Sequence, residues 1–329
     1  MDENKNTILW SLETLEDLQI KNPLTTLFVI GNGFDLFHGV PSRYMDFRNW
    51  LDKSGYGDVV SELELYIHSN SLWFNFEIEL GNFAINQNLN LVPEGLEMFD
   101  AYDSDAQAAD FFIAIEFATN SFRELIQRLK RAFTRWVASL TMTSGFAPLV
   151  DILSPDVFYL TFNYTEFLET QYAIPEMNIC YLHGCRKKRN TPLIFGHPVG
   201  SGLDGDTTEP YFPVFREQQK NQLVYDAQEV ARDYLTTYDD EITKKTFAVI
   251  QAHKCFFQAQ AGVTDVIVIG HSLSTVDYPY FEHLLQAFKN PKEIIWHITY
   301  YSAEDLERIW SFVEKMEIHN SQVRLIQME

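Results

Sequence analysis

Apolar runs with polar, helix-like segments between them set the pattern of this sequence. The runs have the length and the Val and Ile content of buried strands, and a turn or a polar segment follows each of them. They cover residues 26–30, 157–162, 178–182, 193–195, 265–269, 293–300 and 323–327. Strands that alternate with helices in this way predict an α/β fold with a Rossmann-like, doubly wound and mainly parallel sheet.

The helical patterns beside these runs have recognisable ends. A helix predicted over 280–289 stops before a proline, which cannot continue a helix. Ser302 and Asp305 form a capping-box pattern, which predicts a helix over about 303–316. A short polar helix is predicted over 8–20, ahead of the first strand.

Two long segments interrupt the predicted sheet, at about 44–153 and 200–262. Within the first, residues 110–138 show apolar positions at three- and four-residue spacing throughout. We interpret both segments as largely helical insertions in a single α/β domain that spans 1–329. They are expected to build a cap over the carboxyl edge of the sheet, where open α/β sheets bind their ligands.

The charge of the chain limits the partners it can have. The formal net charge is −21, and non-specific nucleic-acid binding depends on Lys and Arg that neutralise phosphates. General DNA or RNA binding is therefore not expected. The one compact basic run, 186–189, is interpreted either as a solvated loop or as a feature that attracts an anionic ligand.

Cysteine content and hydropathy point to the cytoplasm. The chain has 3 cysteines and no Cys-x-x-Cys pair, so a zinc site with four cysteine ligands is excluded and a reducing compartment is expected. No apolar run approaches the length of a membrane span, and the first residues lack the pattern of a signal peptide. We expect no membrane association and no bound metal.

Glycines and polar side chains follow the predicted strands at their carboxyl ends. Because the carboxyl ends of parallel strands face one common crevice, residues far apart in sequence are expected to converge there. Glycines suit such a place, since a phosphate reaches backbone N–H groups only where no side chain intervenes. The candidates are Gly31, Asn32, Gly33, Phe34, Asp35, Pro41, Thr161, Asn163, His183, His197, Gly270, His271, Ser272 and Asp277.

Each candidate also has a purely structural interpretation. Asn163 and Asp35 are residue types that cap helices, and His183 before a glycine is compatible with a buried structural histidine. The turn at 270–272 is compatible with a simple tight turn. Glu77 lies beside three aromatic residues, so it is a candidate for an altered pKa or for a ribose contact. Its structural interpretation is a position on the exposed face of a helix that the aromatic residues anchor.

The motifs taken together resemble two related groups of proteins. Their order and spacing are similar to the sirtuin-type NAD-binding fold, and the chain resembles the bacteriophage abortive-infection AbiH family more closely. The matching segments are 30–36, 41–47, 73–77, 161–165 and 270–281. Two features differ from sirtuins: the four-cysteine zinc module is missing, and the Gln and Asp of a sirtuin motif are Phe162 and Thr165 here.

The resemblance implies an anti-phage effector that binds NAD and cleaves its nicotinamide–ribose bond, as an NAD glycohydrolase does. The two differences from sirtuins argue against protein deacetylation. The resemblance also implies NAD or a related nucleotide as the ligand, a phage-derived trigger, and possible assembly into a homo-oligomer.

A mechanism of this kind assigns roles to the candidates. Asn163 would hold a ribose hydroxyl or the attacking water, and His183 would act as general base, since imidazole titrates near neutral pH. Gly31 and Gly33 would hold the pyrophosphate, while the turn at 270–272 would hold a phosphate or the adenosine ribose. Asp35 and Asp277 would bind hydroxyls or cap helices.

Three other functions stay open at this stage. One is a non-catalytic nucleotide sensor or partner-binding module on the same fold. Another is a serine hydrolase, because Gly270-His271-Ser272 after a strand resembles a nucleophile elbow, with Asp277, His283 and His297 as possible partners. The last is a nuclease, which the acidic charge and the lack of a carboxylate cluster for metal make the weakest.

Overall fold

A computed structural model describes residues 12–14, 18, 20–82, 89–98, 108–142, 147–188, 191–198 and 219–328. The chain divides into two compact units. The first, here called the sheet unit, consists of Met1–Ser42, Leu140–Leu193 and Thr246–Glu329. The second, here called the helical unit, consists of Arg43–Ser139 and Ile194–Lys245.

The sheet unit contains a seven-stranded sheet in which every pair of neighbouring strands is parallel. Its strands are β1 (Leu12–Thr14), β2 (Thr26–Ile30), β3 (Phe158–Thr161), β4 (Ile179–Tyr181), β7 (Asp265–Ile269), β8 (Ile295–Tyr300) and β9 (Val323–Gln327). The two remaining strands, β5 (His197–Pro198) and β6 (Thr243–Lys244), belong to the helical unit. The prediction of an α/β fold with a parallel, Rossmann-like sheet is confirmed.

The strand order of the sheet is β1-β9-β8-β7-β2-β3-β4. From β2 the chain proceeds outwards to β3 and β4, and it then returns to β7 on the other side of β2. When β2 is counted first and β1 is left aside, this is the 3-2-1-4-5-6 order of dinucleotide-binding folds. The order reverses between β2 and β7, so the carboxyl ends of these two strands mark the topological switch point.

The central strands are buried because their residues are apolar on both faces. All five residues of β2 are buried, and so are the last four of β7. On one face Phe28 stacks on Tyr159 of β3, with 5.1 Å between ring centroids. A strand covered on both faces needs apolar residues without alternation, which is the pattern that 26–30 and 265–269 show.

Six α-helices in the described part of the sheet unit connect or flank the strands. They are Asn32–Phe37, Phe167–Tyr172, Thr246–Ala252, Lys254–Ala259, Tyr278–Ala287 and Ala303–Lys315. The capping box is confirmed: Asp305 N–H donates to Ser302 Oγ, and Ser302 N–H donates to the Asp305 carboxylate. The helix predicted over 280–289 begins two residues earlier, since a proline suits its first turn.

The described helices of the helical unit are Tyr44–Lys53, Gly57–Tyr66, Phe76–Glu79, Leu91–Met98, Ala108–Ser139 and Gln219–Asp240. The ring of Phe47 lies at the centre of an aromatic core, within 6.5 Å of five other rings. These belong to Trp50, Trp73, Phe76, Phe133 and Trp136. The helical prediction for 110–138 is confirmed.

Two predicted elements are wrong. Residues 12–14 form β1 instead of part of a helix, and Leu12 pairs with Leu325 of β9; of the rest of 8–20, only residues 18 and 20 are described. Pairing at a sheet edge overrides weak helical propensity in so short a segment. Residues 193–195 are not a strand, and the strand pair that follows, β5 with β6, lies in the helical unit. The predicted loop at 200–205 lies outside the described residues.

The position of Gly196 explains why the chain cannot continue there as an ordinary strand. Its φ is +143°, and a Cβ atom at this residue would lie 1.6 Å from the carbonyl oxygen of Ile242. His197 N–H donates to that same oxygen. The 195–197 motif is therefore built for close packing inside the helical unit, and it does not end a strand of the main sheet.

Among the described residues, no helix is both long and apolar enough to cross a membrane.

Candidate functional site

The glycine turns that follow β2 and β7 pack directly on each other at the switch point. Gly31 N–H donates to Ile269 O (3.0 Å), and Gly33 N–H donates to Gly270 O (2.7 Å). A Cβ at Gly33 would lie 2.6 Å from Gly270 Cα. The two N–H groups that we expected to hold a pyrophosphate thus bind the backbone of the neighbouring turn. The glycines of this motif allow two backbones to touch.

The rest of the first motif surrounds this junction. Phe34 is buried and its N–H donates to Gly31 O. Asn32 is exposed, and its side-chain Nδ2 donates to Ser42 O (2.8 Å). Pro41 is exposed beside it. Asn32 therefore joins the turn to the segment that leaves the helix Asn32–Phe37.

The carboxylate of Asp35 connects the motif after β2 to the motif after β3. Asn163 Nδ2 donates to Asp35 Oδ1 (2.9 Å), and Thr165 Oγ1 donates to Asp35 Oδ2 (2.9 Å). Thr161 Oγ1 accepts a hydrogen bond from Asn163 N–H (3.1 Å), which fixes the loop. Asp35 is 2% exposed, and its two donors are buried as well. Asp35 and Asn163 are therefore not simple helix caps, because their side chains are hydrogen-bonded to each other.

Burial raises the pKa of Asp35 from its usual value of 3.8 to about 7. The hydrogen bonds from Thr165 and Asn163 act in the opposite direction, as does the positive charge of Arg186. Desolvation is the largest of these effects because the carboxylate has lost nearly all contact with water. The site thus contains a carboxyl group that changes its charge near neutral pH.

A second carboxylate, Asp277, lies between two histidines. Its Oδ1 is 3.7 Å from His183 Nε2, and its Oδ2 is 3.5 Å from His271 Nε2. All three side chains are buried. His183 follows β4, whereas His271 and Asp277 follow β7. The sequence places these three residues after predicted strands, but it gives no sign that one carboxylate faces both histidines.

The ring of Phe162 contacts both histidines. It is edge-on to His183 (5.3 Å between centroids) and to His271 (4.2 Å). The rings of Tyr280 and Phe281 complete the same aromatic wall. An apolar enclosure strengthens the attraction between a carboxylate and a charged imidazole, since little water screens them.

Ser272 does not form a nucleophile–base pair in this structure. Its side chain is exposed, and within the described residues no hydrogen bond reaches its hydroxyl. The adjacent His271 uses Nδ1 to accept the N–H of Leu273 (2.9 Å). His297 instead approaches Asp265, at the first residue of β7. This geometry gives the serine-hydrolase hypothesis no support.

The basic run at 186–188 is occupied by ion pairs in the sheet unit. Arg186 binds both carboxylate oxygens of Glu166 (2.8 and 2.9 Å). Lys187 and Lys188 both bind Glu176, at 2.8 and 2.9 Å. The run is therefore a loop that ion pairs hold in place, and these ion pairs compete with any anionic ligand. The backbone N–H of Arg186 also donates to Tyr164 O, which ties the loop to the Asn163 segment.

Glu77 and His197 lie in the helical unit, where they form two polar pairs beside the β5–β6 bridge. Lys244 Nζ donates to Glu77 Oε2 (2.9 Å), and His197 Nε2 lies 3.1 Å from Asp239 Oδ1. Lys244 is 1% exposed and His197 is fully buried. Lys244 and Asp239 have no recognisable signal in the sequence, because each stands in a polar run that resembles a solvated surface.

Replacing Glu77 by Gln is expected to lower the free energy of unfolding by about 2 kcal/mol, because it weakens a hydrogen bond to a buried cation. A urea titration followed by circular dichroism would measure this change. Asp240→Asn is the matched control, since Asp240 pairs with the neighbouring, exposed Lys245. The control should change stability by less than about 1 kcal/mol. Equal effects of the two substitutions would contradict the importance of the buried pair.

No group of three or more His, Cys, Asp or Glu side chains within the described residues is placed to hold a metal ion. The polar groups that the sheet unit gathers at the ends of β2, β3, β4 and β7 are instead two carboxylates with amide, hydroxyl and imidazole partners. Such groups can stabilise a developing positive charge and move a proton.

The comparisons with known proteins give one match. The family model described as Bacteriophage abortive infection AbiH matches residues 27–300. Neither the curated proteins nor the solved structures contain a match. The matched range includes every candidate residue at the switch point.

Proposed function

The chain belongs to the bacteriophage abortive infection AbiH family, and from that premise we propose that it binds NAD at the carboxyl edge of its sheet and hydrolyses the nicotinamide–ribose bond. The family points to a role in abortive infection. The proposal adds a substrate and a reaction to that role, and it draws on the similarity of the motifs to the sirtuin-type NAD-binding fold.

One observation carries the proposal. In a sheet with dinucleotide-binding strand order, the segments after four neighbouring strands carry two pairs of buried polar groups, Asp35 with Asn163 and Asp277 with His183. Ligands of open α/β sheets bind at the switch point of the strand order. Buried carboxylates beside a histidine are costly in a fold and are typical of sites that perform chemistry.

The reaction suits these groups. When the bond between ribose C1′ and the pyridinium nitrogen breaks, its electron pair stays on that nitrogen and nicotinamide leaves as a neutral molecule. The sugar becomes oxocarbenium-like, and a carboxylate such as Asp35 stabilises its positive charge. Water then bonds to C1′ and passes a proton to His183. Asn163 and Thr165 hold the Asp35 carboxylate in place.

Phosphate recognition must use groups other than the N–H of Gly31 and Gly33, since both donate within the protein. The exposed residues Ser272 and Asn32 lie on the two turns that meet at the switch point. The side-chain oxygen of Asn32 is the relevant group, because its Nδ2 donates to Ser42 O. We propose these side chains as contacts for the polar parts of the dinucleotide.

Purified protein, and cells that express it during phage infection, should convert NAD to nicotinamide and ADP-ribose. His183→Ala should lower the rate at least about 100-fold, because it removes the general base. His68→Ala is the control, since His68 is exposed in the helical unit and should leave the rate unchanged. Chromatography of the nucleotides measures the result.

Two outcomes would overturn the proposal. If infected cells are protected while their NAD stays constant, the defence does not work by NAD hydrolysis. If NAD binds tightly and persists, and binding survives His183→Ala, the chain is a nucleotide-sensing module and not an enzyme.

A further inference from the structure

We propose that Asp277 is a positioning residue that holds the His183 ring with its proton on Nε2, so that Nδ1 becomes the basic nitrogen. The catalytic part of this inference rests on the proposed hydrolysis of NAD. The position of the proton does not, because it follows from contacts inside the sheet unit and is measurable without substrate.

The His271 ring shows how the arrangement is fixed. Leu273 N–H donates to His271 Nδ1 at 2.9 Å. A backbone N–H can only donate, so Nδ1 carries the lone pair and a neutral His271 has its proton on Nε2. That nitrogen faces Asp277 Oδ2 at 3.5 Å. Leu273 itself adopts a φ of +50°, which is uncommon for a side chain of this kind, and the hydrogen bond to His271 helps to hold the turn.

Asp277 is held by the backbone on the same turn. It ends the short 3-10 helix Thr275–Asp277, and its N–H donates to Ser274 O (3.0 Å). Its Oδ2 faces His271, whose proton position the hydrogen bond from Leu273 settles. Its Oδ1 faces His183 Nε2 at 3.7 Å.

An ionised carboxylate only accepts hydrogen bonds, so it favours the proton of His183 on Nε2. The lone pair of the neutral ring then lies on Nδ1. When Nδ1 receives a proton from water, the ring becomes a cation beside Asp277. The rings of Phe162, Tyr164 and Tyr280 lie against His183, and this enclosure makes the stabilisation by the carboxylate larger than in water. The separation of 3.7 Å is longer than a hydrogen bond, so Asp277 acts on the His183 proton through its negative charge.

Nitrogen NMR of protein labelled at histidine tests the inference. At a pH where the rings are neutral, His183 should show a protonated Nε2 and an unprotonated Nδ1. His183→Gln identifies its signals by their loss. A wild-type His183 with its proton on Nδ1 would overturn the inference, whatever the activity of the protein.

Asp277→Asn provides the second arm. The amide of Asn can donate to His183 Nε2, which would move the proton of His183 to Nδ1. His271 is the internal control, since Leu273 N–H still holds its Nδ1 and its own proton should stay on Nε2. An unchanged His183 in a folded variant would overturn the role of Asp277.

The turnover of NAD by the same variants separates this inference from the proposed function. Asp277→Asn should lower kcat at least about 100-fold with a much smaller change in KM, because the base has the wrong nitrogen available. Asp277→Glu should recover part of the loss, since it restores an acceptor. If wild-type protein shows the predicted proton positions and hydrolyses no NAD, the proposed function fails and the positioning stands. If it hydrolyses NAD and Asp277→Asn is fully active, the positioning role fails.

Discussion

Gly270→Ala is expected to lower the free energy of unfolding by at least about 3 kcal/mol, and this is enough to prevent folding of a marginally stable chain. Gly270 has a φ of +62°, which costs an alanine about 1 kcal/mol. Its Cβ would also lie 2.4 Å from the backbone N of Phe34 and 2.5 Å from the carbonyl carbon of Gly33. Both atoms belong to the backbone after β2 and cannot rotate away. Urea titration followed by circular dichroism would measure the loss.

Gly39→Ala separates the two causes of this loss. Gly39 has a φ of +72°, but no atom lies within 4 Å of a Cβ built there. Gly39→Ala should lower the free energy of unfolding by only about 1 kcal/mol, because alanine disfavours this backbone conformation. If Gly270→Ala is no more harmful than Gly39→Ala, the two glycine turns do not depend on close contact, and the junction at the switch point is not as tight as described.

The sheet was predictable because its central strands carry their own signal. The runs 26–30 and 265–269 are apolar throughout, and buried parallel strands require this. The edge strand could not be predicted in this way. β1 (Leu12–Thr14) forms because it pairs with the backbone of β9, and residues 8–20 contain no pattern that indicates this pairing. The strand prediction for 193–195 is wrong for another reason, since Ile194 and Phe195 belong to the helical unit.

The sequence places the candidate residues at strand ends, but it does not show their contacts. Strand ends identify Asp35, Asn163, His183 and Asp277, because strand ends of a parallel sheet converge. The sequence does not show that Asn163 donates to Asp35, or that Asp277 faces His183, since each of these two pairs joins residues more than 90 positions apart. The same limit applies to the glycines, whose N–H groups bind the adjacent turn. Whether the helical unit caps the edge stays a prediction.

The stability of the protein is expected to fall by about 4 kcal/mol between pH 4 and pH 8 because of Asp35 alone. Its pKa is about 7 in the folded protein and 3.8 in the usual reference state. The folded state therefore binds a proton more tightly than the unfolded chain. The stabilising contribution is complete below pH 3.8 and is lost as the pH rises through 7.

Asp35→Asn removes this ionisation and keeps a similar shape, with an oxygen that can still accept from Asn163. Chemical denaturation of wild type and variant should be compared across the pH range. The wild type should lose about 4 kcal/mol relative to the variant between pH 4 and pH 8. Asp156→Asn serves as control, since Asp156 is exposed on the surface of the sheet unit and its loss should leave the slope unchanged.

Thr165→Val sharpens the same test. Thr165 donates to Asp35 Oδ2 (2.9 Å) and lowers its pKa, so its removal should move the loss of stability to higher pH. If the free energy of unfolding changes with pH to the same extent in the wild type and in Asp35→Asn, Asp35 ionises in the protein as it does in water. That result would also remove the argument that Asp35 is a buried carboxyl group able to change its charge near neutral pH.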